Sequence, residues 1–213
     1  MLHALRAAAK QALAPLIFRY PPIGLKPERA AVYLSALLER ASLIGDVAEV
    51  GCNVGGTAIF ACQALRNVGW GGDYFCFDTF GGFVDEQFEA DVAQGTKSSK
   101  RHLFSANSVS LVEKITAQHG RSDIHLVAGD ATKISDNQLG SYIAVLADID
   151  LSEPSYEVLK RFWPHVVPGG IMLCDDCVES RHWLARDGYE KFCQEYKIMP
   201  EYRYGLGIVR KPH

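Results

Sequence analysis

The sequence lacks the features that mark membrane-spanning, fibrous and nucleic-acid-coating proteins. No uninterrupted apolar run reaches the roughly 18 residues that a membrane-spanning helix needs. No internal repeat or low-complexity segment is present, and a net charge of −3 argues against a protein that binds nucleic acid by bulk positive charge. With 213 residues, of which 48% are hydrophobic and 22% charged, the chain has the composition of a globular protein with a substantial core.

A disulfide framework is also missing, because six cysteines are too few for one in a chain of this length. Most of them lie in apolar runs such as 47–52 and 171–174, where a free thiol behaves as a small hydrophobic group. Cys174 and Cys177 have the spacing of a zinc-binding pair, but no second pair or suitable histidines accompany them. We therefore predict reduced cysteines and a cytoplasmic location.

Acidic residues are absent from the first 27 positions, which carry four basic ones. The basic residues are Arg6, Lys10, Arg19 and Lys26. Such a segment suits a signal peptide or a helix on a membrane surface. Its apolar stretch is interrupted by Lys10 and Gln11, however, and shows no clean cleavage site. We therefore expect a helix docked on the core, without a membrane span.

Two helices are predicted before the first strand. The first covers 2–14 and is expected to end at Pro15. The second covers 27–42, and its expected buried face consists of the apolar residues at 30, 34, 37, 38 and 41. We expect 1–44 to form an N-terminal helical extension and 45–213 to form the main domain.

Short apolar segments alternate with helical patterns after Gly45. Strands are predicted at 47–51, 73–77, 123–128, 142–148, 170–174, 197–203 and 206–210. Helices are predicted at 55–68, 107–119, 153–163 and 179–196. This alternation predicts an α/β fold with a mostly parallel sheet and helices on both faces. Ligands of such sheets bind at the carboxyl ends of the strands.

The first predicted strand ends in a glycine-rich turn at 49–57. Glycines at such a turn allow a ligand to approach the backbone at the start of a helix. Asn53 occupies the second glycine position of the dinucleotide-binding pattern and so disfavours a nicotinamide cofactor. An ordinary strand-to-helix turn is the alternative interpretation.

An aspartate follows each of the next two predicted strands. Asp78 lies 27 residues after Gly51, and its ionised carboxylate can accept hydrogen bonds from both hydroxyls of a ribose. A turn or a helix cap is the alternative for Asp78. Asp130 suits either an adenine amino group or the N-cap of a helix.

Four carboxylates follow the strands predicted at 142–148 and 170–174. They are Asp148, Asp150, Asp175 and Asp176. Asp148 and Asp150 are two residues apart, so an extended chain directs both side chains the same way. Three carboxylates with water form a site for a hard divalent cation such as Mg²⁺, and the absence of a histidine pair disfavours zinc. Aspartates that begin solvent-exposed loops are the alternative.

These motifs together resemble the macrocin O-methyltransferase family. The segments that carry the resemblance are EVGCNVGGT at 49–57, FDTFGGF at 77–83, DIDL at 148–151 and PGGIMLCDD at 168–176. Members of this family are metal-dependent class I S-adenosylmethionine (SAM) enzymes that methylate sugar hydroxyls of macrolide and aminocoumarin antibiotics. The resemblance runs from about Gly45 to the C-terminus and implies a Rossmann-like sheet of seven strands, the last of them antiparallel.

The resemblance also implies roles for individual residues. SAM would be bound by Glu49, Gly51, Asn53, Gly55, Thr57, Asp78, Thr79 and Asp130. Mg²⁺ would be held by Asp148, Asp175 and Asp176, and Asp150 would be the catalytic base. Ser152 stands where the family usually has tyrosine, and Cys177 where it often has an aromatic residue, which leaves the acceptor open.

We therefore expect a Mg²⁺-dependent O-methyltransferase, within class EC 2.1.1, that acts on a hydroxyl of a small acceptor. The family resemblance implies that this acceptor is a sugar of a glycosylated natural product. The alternatives are a catechol or acyl-CoA phenolic O-methyltransferase, a SAM-binding protein without turnover, and a nicotinamide oxidoreductase. No nucleic-acid partner is expected. The N-terminal helices, which would roof the pocket or form an interface, predict a homodimer.

Two further features have open interpretations. The basic cluster of Lys97, Lys100, Arg101 and His102 lies within 85–106, a segment that suits a mobile lid or a solvated loop. His182 follows the last acidic pair and suits either acceptor binding or an exposed helix surface.

Overall fold

The computed structural model describes residues 2–17, 21, 23–180 and 182–213. The α-helices within these ranges are α1 (Leu2–Ile17), α2 (Pro27–Leu38), α3 (Gly56–Asn67), α4 (Asp85–Val92), α5 (Val109–Gln118), α6 (Ser152–Phe162) and α7 (Ala185–Tyr196). The strands are β1 (Asp46–Val50), β2 (Tyr74–Asp78), β3 (Ile124–Ala128), β4 (Tyr142–Ala147), β5 (Val166–Cys174), β6 (Glu201–Arg203) and β7 (Leu206–Arg210). No helix among the described residues has the length and apolar character needed to cross a membrane.

The strands of the described ranges form one seven-stranded sheet with the order β3–β2–β1–β4–β5–β7–β6. Strands β1 to β5 pair in parallel, whereas β7 is antiparallel to both β5 and β6. Buried apolar clusters lie on both faces of this sheet, beneath the helices. The predicted Rossmann-like α/β fold, with an antiparallel last strand, is therefore confirmed.

The order of the sheet reverses between β1 and β4, which lie side by side at its centre. Every residue of β4 is buried, which explains its continuous apolar sequence. In open α/β sheets, the carboxyl ends of the strands at such a reversal border the ligand-binding crevice. Glu49 near the end of β1 and the aspartates that follow β4 therefore lie where a ligand is expected.

The first helix differs from its prediction, because α1 continues through Pro15 to Ile17. A proline near the end of a helix removes only one backbone hydrogen bond, although it strains the preceding turn. Contacts with α5 help to hold α1, since the Gln11 side-chain amide donates to Ser108 Oγ at 3.3 Å and to Ser110 Oγ at 3.2 Å.

The buried face of α2 is also different from the one expected. Its buried residues are Arg29, Val32, Tyr33, Ala36 and Leu37. Leu38, which was expected to be buried, is 43% exposed. Leu37 is fully buried as predicted, and Ala30, Leu34 and Ala41 are half-buried against the core, so the predicted face lies at the border of the buried one, which also contains an arginine.

Two helices near the site have bounds that the sequence pattern did not predict. Helix α4 forms within the segment expected to be a lid or loop, and it is anchored by Phe88, which is fully buried. Helix α7 begins at Ala185 rather than near residue 179. Strand β5 begins at Val166, about four residues before its predicted start, and β6 begins at Glu201, about four residues after its predicted start.

Candidate active site

A cavity opens at the carboxyl ends of the central strands. The predicted site residues that line it are Glu49, Gly51, Asn53, Thr57, Asp78, Thr79, Asp130, Asp148, Asp150, Asp175 and Asp176. Gly55 is the one member of that predicted set, all of which the structure describes, that is not part of the lining. The fold thus brings both predicted groups, the cofactor residues and the acids, to one cavity.

The glycine-rich turn places backbone rather than side chain against the centre of the sheet. Gly51 has a φ of +89°, and a Cβ there would lie 1.8 Å from the carbonyl oxygen of Asp148. Gly55 has a φ of +76° and precedes α3. Asn53 also has a positive φ, of 49°, so asparagine here adopts the left-handed backbone that glycine usually supplies.

Asp78 is held with its carboxylate facing the cavity. Its Oδ2 accepts a hydrogen bond from the backbone N–H of Asn53 at 2.8 Å, and its Oδ1 accepts one from that of Phe80 at 2.8 Å. Burial raises the pKa of Asp78 above its ordinary value, although these hydrogen bonds oppose the rise. The Thr79 hydroxyl lies 3.4 Å from Oδ1 but only 2.5 Å from the Gly82 carbonyl oxygen, so it donates mainly to Gly82, and both carboxylate oxygens can still accept from ligand hydroxyls.

Asp130 begins a turn and does not cap a helix. Its Oδ1 accepts from the backbone N–H of Thr132 at 3.0 Å and from the Thr132 hydroxyl at 2.7 Å, while Gln87 donates to Oδ2 at 2.9 Å. Burial raises the pKa of Asp130, but these hydrogen bonds outweigh it and the net shift is downward. The N-cap alternative is wrong, because residues 131–135 are not helical.

The two threonines of the predicted set occupy different depths. Thr57 is buried, and its Oγ1 accepts a hydrogen bond from the Gly24 backbone at 3.3 Å. Thr79 is exposed at the mouth of the cavity. Thr57 therefore links the connector before α2 to the glycine-rich turn.

Glu49 ends a buried chain of hydroxyl groups. The Tyr74 hydroxyl donates to Glu49 Oε2 at 2.6 Å, and the hydroxyls of Tyr33 and Tyr74 are 2.8 Å apart. Burial raises the pKa of Glu49 to about 8, and the hydrogen bond from Tyr74 opposes this rise only in part. A buried carboxylate beside a cavity is suited to a cationic group of a ligand, which would restore its charge.

The four acids converge at the ends of β4 and β5. The backbone N–H of Asp148 donates to Val50 O, and that of Asp175 donates to Ala147 O, both at 2.8 Å. Burial first, and then the neighbouring carboxylates, raise the pKa of Asp148 and of Asp150 well above the ordinary value. The acids therefore form one interacting group, as expected for carboxylates held together.

Asp148 and Asp150 face the same cavity for a reason other than strand alternation. Strand β4 ends at Ala147, and Asp150 has a φ of +68°, which is left-handed rather than extended. Asp176 is also left-handed, with a φ of +53°. Both side chains therefore face the cavity as predicted, but the backbone at Asp150 is not extended as predicted.

Arg29 of α2 binds two of the three predicted metal ligands. One guanidinium nitrogen lies 2.7 Å from Asp175 Oδ1 and 2.8 Å from Asp176 Oδ1. Burial and Asp176 raise the pKa of Asp175 to about 6, against the opposing effect of this arginine. Within the described ranges, no three Asp, Glu, His or Cys side chains are arranged to hold a metal ion. The residues present therefore do not fit the Mg²⁺ site that the resemblance implies.

Sequence reasoning missed Arg29 and did not assign Lys100. A possible signal for Arg29 was its i, i+3 and i+7 spacing with Val32 and Ala36, because an arginine on a buried face requires an acidic partner. Lys100 is buried, contacts the His182 carbonyl and lies 3.7 Å from the centre of the Trp183 ring. The His182 side chain itself is exposed.

A family model described as "Methyltransferase domain" matches residues 48–177, which is more than half of the chain. The chain belongs to this methyltransferase family. The match covers the glycine-rich turn, Asp78 and all four clustered acids. No curated protein matches the sequence significantly.

Solved methyltransferase structures share the fold. One, described as the structure of the O-methyltransferase NovP, has a TM-score of 0.71 at 17% identity and covers 87% of this chain and 80% of its own. The calicheamicin methyltransferase CalS11 has a TM-score of 0.68 at 19% identity, with coverage of 98% and 91%. An O-methyltransferase from Bacillus cereus in complex with SAH has a TM-score of 0.57 at 11% identity, with coverage of 99% and 90%. Membership of the macrocin family in particular stays a prediction.

Proposed function

We propose that this methyltransferase transfers the methyl group of SAM to a hydroxyl oxygen of a small acceptor, with Asp150 as the base. The observation that carries the proposal is the single cavity that joins Glu49, Gly51 and Asp78 to the acidic group containing Asp150. A donor held at the first set of residues would lie directly beside an acceptor held at the second.

The residues at the β1 and β2 ends suit the polar parts of SAM. Asp78 has lone pairs for the two ribose hydroxyls, and Glu49 offers a carboxylate to the ammonium of the amino acid end. The close approach of the backbone at Gly51 leaves this edge open to a ligand. When bound, SAM supplies a methyl group on a positively charged sulfur; the carbon–sulfur bond breaks as the carbon–oxygen bond forms, and the sulfur leaves as the thioether of SAH.

Asp150 is suited to take the proton that the acceptor hydroxyl loses. It is only 8% exposed and lines the cavity. Burial and the adjacent Asp176 raise the pKa of Asp150, so its carboxylate has a high affinity for a proton. A positioned base of this kind contributes roughly 10²–10⁴-fold to the rate.

Aromatic rings line the acceptor side of the cavity and bear on the class of acceptor. The Phe83 ring lies 5.4 Å from that of Phe104 and 5.6 Å from that of Trp183, and all three residues border the cavity. Such rings pack against the apolar face of a sugar, which is the acceptor that the family resemblance implies. They also suit a planar phenol, and this observation keeps a phenolic acceptor as the second candidate.

The Mg²⁺ that the resemblance implies is left out of this proposal. Two of its three ligands, Asp175 and Asp176, already bind Arg29. Asp150, Asp78 and Glu49 carry the proposed function without it.

Calorimetry with SAM, SAH and NADH tests the cofactor. We expect SAM and SAH to bind, and Asp78→Ala to weaken binding by ~1–3 kcal/mol, the range for a lost hydrogen bond to a charged group. Asp136→Ala, which removes an exposed carboxylate away from the cavity, is the matched control and should bind normally. Tight binding of NADH without binding of SAM would overturn the proposal.

Mass spectrometry of a panel of sugars and phenols incubated with SAM tests the transfer. We expect a product heavier by one methylene, with the methyl group on oxygen, and a loss of turnover in Asp150→Asn while SAM affinity is retained. Methylation at nitrogen or carbon, or full turnover in Asp150→Asn, would contradict the assigned chemistry.

A further inference from the structure

Arg29 is buried beside the four clustered aspartates and is held there by several contacts. It is 2% exposed although it lines the cavity. One of its nitrogens bridges Asp175 and Asp176, and its Nε donates to the carbonyl oxygen of Tyr204 at 3.0 Å. The guanidinium is therefore fixed from two sides, by the acidic pair and by the turn between β6 and β7.

The surroundings of Arg29 give it little room to move away. A Cβ at Gly205 would lie 2.8 Å from a guanidinium nitrogen of Arg29, so the backbone of that turn packs directly against the side chain. Displacing a buried arginine from its carboxylates leaves an uncompensated charge, which is strongly unfavourable. A divalent cation would have to displace the arginine before it could use both aspartates as ligands.

We propose that Arg29 is the resident cation of this site, and that it takes the place of the divalent metal that the family resemblance implies, because it orients Asp175 and Asp176 and offsets part of their negative charge. Arginine is suited to this task because it keeps its charge at all ordinary pH values and can donate to two carboxylates at once. With that pair held by the arginine, Asp148 and Asp150 remain for the acceptor. Arg29 is thus a positioning residue, and methyl transfer runs without a divalent cation.

Calorimetric titration of chelator-treated protein with Mg²⁺ tests the assignment. We expect no saturable binding to the wild type, whereas Arg29→Gln should bind Mg²⁺ saturably, at least about tenfold more tightly than the weakest affinity that the titration detects, a difference of about 1.4 kcal/mol. Arg40→Gln is the matched control: Arg40 follows the same helix and donates to the carbonyls of Gly169 and Ala36 without contacting the site, so its replacement should not create Mg²⁺ binding. Adding Asp176→Asn to Arg29→Gln should abolish the gained binding.

Saturable Mg²⁺ binding to the wild type that Asp176→Asn removes would overturn the proposal, as would an Arg29→Gln protein that folds but gains no affinity. The wild-type titration decides the matter even if Arg29→Gln does not fold. The catalytic consequence depends on the proposed function, but the two can fail separately. Mg²⁺ binding by a wild type that also binds SAM overturns the role of Arg29 alone, whereas absence of SAM binding overturns the proposed function alone.

Discussion

Backbone strain gathers at individual residues around the cavity. Asn53, Phe80, Asp150 and Asp176 have φ values of 49°, 52°, 68° and 53°, in the left-handed region that costs a non-glycine residue roughly 1–2 kcal/mol. Local contacts stabilise these backbone conformations; for example, the Leu184 N–H donates a hydrogen bond to the Asp150 carbonyl oxygen at 3.0 Å. Strained residues concentrate at functional sites because the surrounding structure fixes them in one geometry. Asp150 and Asp176 are therefore positioned by their backbone as well as by their side-chain partners.

Gly51 provides a direct test of the close approach between β1 and β4. Its missing Cβ would overlap the Asp148 carbonyl, so Gly51→Ala should destabilise the protein by at least about 3 kcal/mol and move Asp148. Gly71→Ala is the control, because a Cβ there meets nothing within 4 Å, and its effect should stay within about 0.5 kcal/mol. Urea denaturation measures both. Equal effects of the two substitutions would contradict this description of the site.

Glu49 should make the stability of the protein depend on pH. Burial raises the pKa of Glu49 from 4.5 to about 8, so between these values the folded protein holds a proton that the unfolded chain releases. The free energy of unfolding therefore falls as the pH rises through this window, by at most about 1.4 kcal/mol per pH unit, and the effect levels off above about pH 8.

Glu49→Gln isolates this effect, because its amide oxygen can still accept the Tyr74 hydrogen bond but cannot take up a proton. The free energy of unfolding of the variant, minus that of the wild type, should increase between about pH 5 and pH 8 and then become constant. Urea titrations at several pH values measure the difference. A difference that does not change with pH would show that Glu49 is ionised in the folded protein throughout.

Among the elements, α4 supports the start of α6, which directly follows the acid Asp150. Leu151, the N-cap residue of α6, provides no side-chain hydrogen bond. Asp91 of α4 takes over this role, since its Oδ1 accepts from the Ser152 N–H at 2.8 Å and its Oδ2 accepts from the Thr96 hydroxyl at 2.9 Å. A helix from the 85–106 segment thus stabilises the start of the helix that follows the proposed base.

Removing this contact should have a measurable cost. Asp91→Ala leaves the buried Ser152 N–H without its acceptor, so we expect a loss of stability of about 1–3 kcal/mol. Thr96→Val, which removes only the second hydrogen bond and keeps the shape, should cost about 1 kcal/mol. Thermal or urea unfolding compares the two. A smaller effect for Asp91→Ala than for Thr96→Val would show that α4 does not cap α6.

At the scale of the whole molecule, the sequence predicts the sheet better than it predicts the contacts across it. Strand β4 is a continuous apolar run that an aspartate follows directly, and the apolar run follows from burial on both faces. The meeting of Asp148 and Asp175 follows in turn from the pairing of β4 with β5. The sequence could therefore place the acids at one edge of the sheet before their structure was known.

The partners of those acids could not be predicted in the same way. Arg29 lies 146 residues before Asp175, and no periodic pattern relates the two positions. Asp91 and Ser152 are 61 residues apart and meet only when α4 packs beside α6. Such contacts depend on the packing of helices, which local patterns do not specify. They make α2 part of the site, although its residues were assigned to an N-terminal extension; the predicted homodimer stays a prediction.

A crystal structure of the protein with SAH tests the central proposal most directly, because it shows both the ligand and its orientation. We predict SAH in the cavity with its ribose hydroxyls on Asp78, its ammonium near Glu49, and its sulfur facing Asp150 across the space for an acceptor. Arg29 should still bridge Asp175 and Asp176 in that complex. SAH bound elsewhere, or bound with its sulfur directed away from Asp150, would contradict the account.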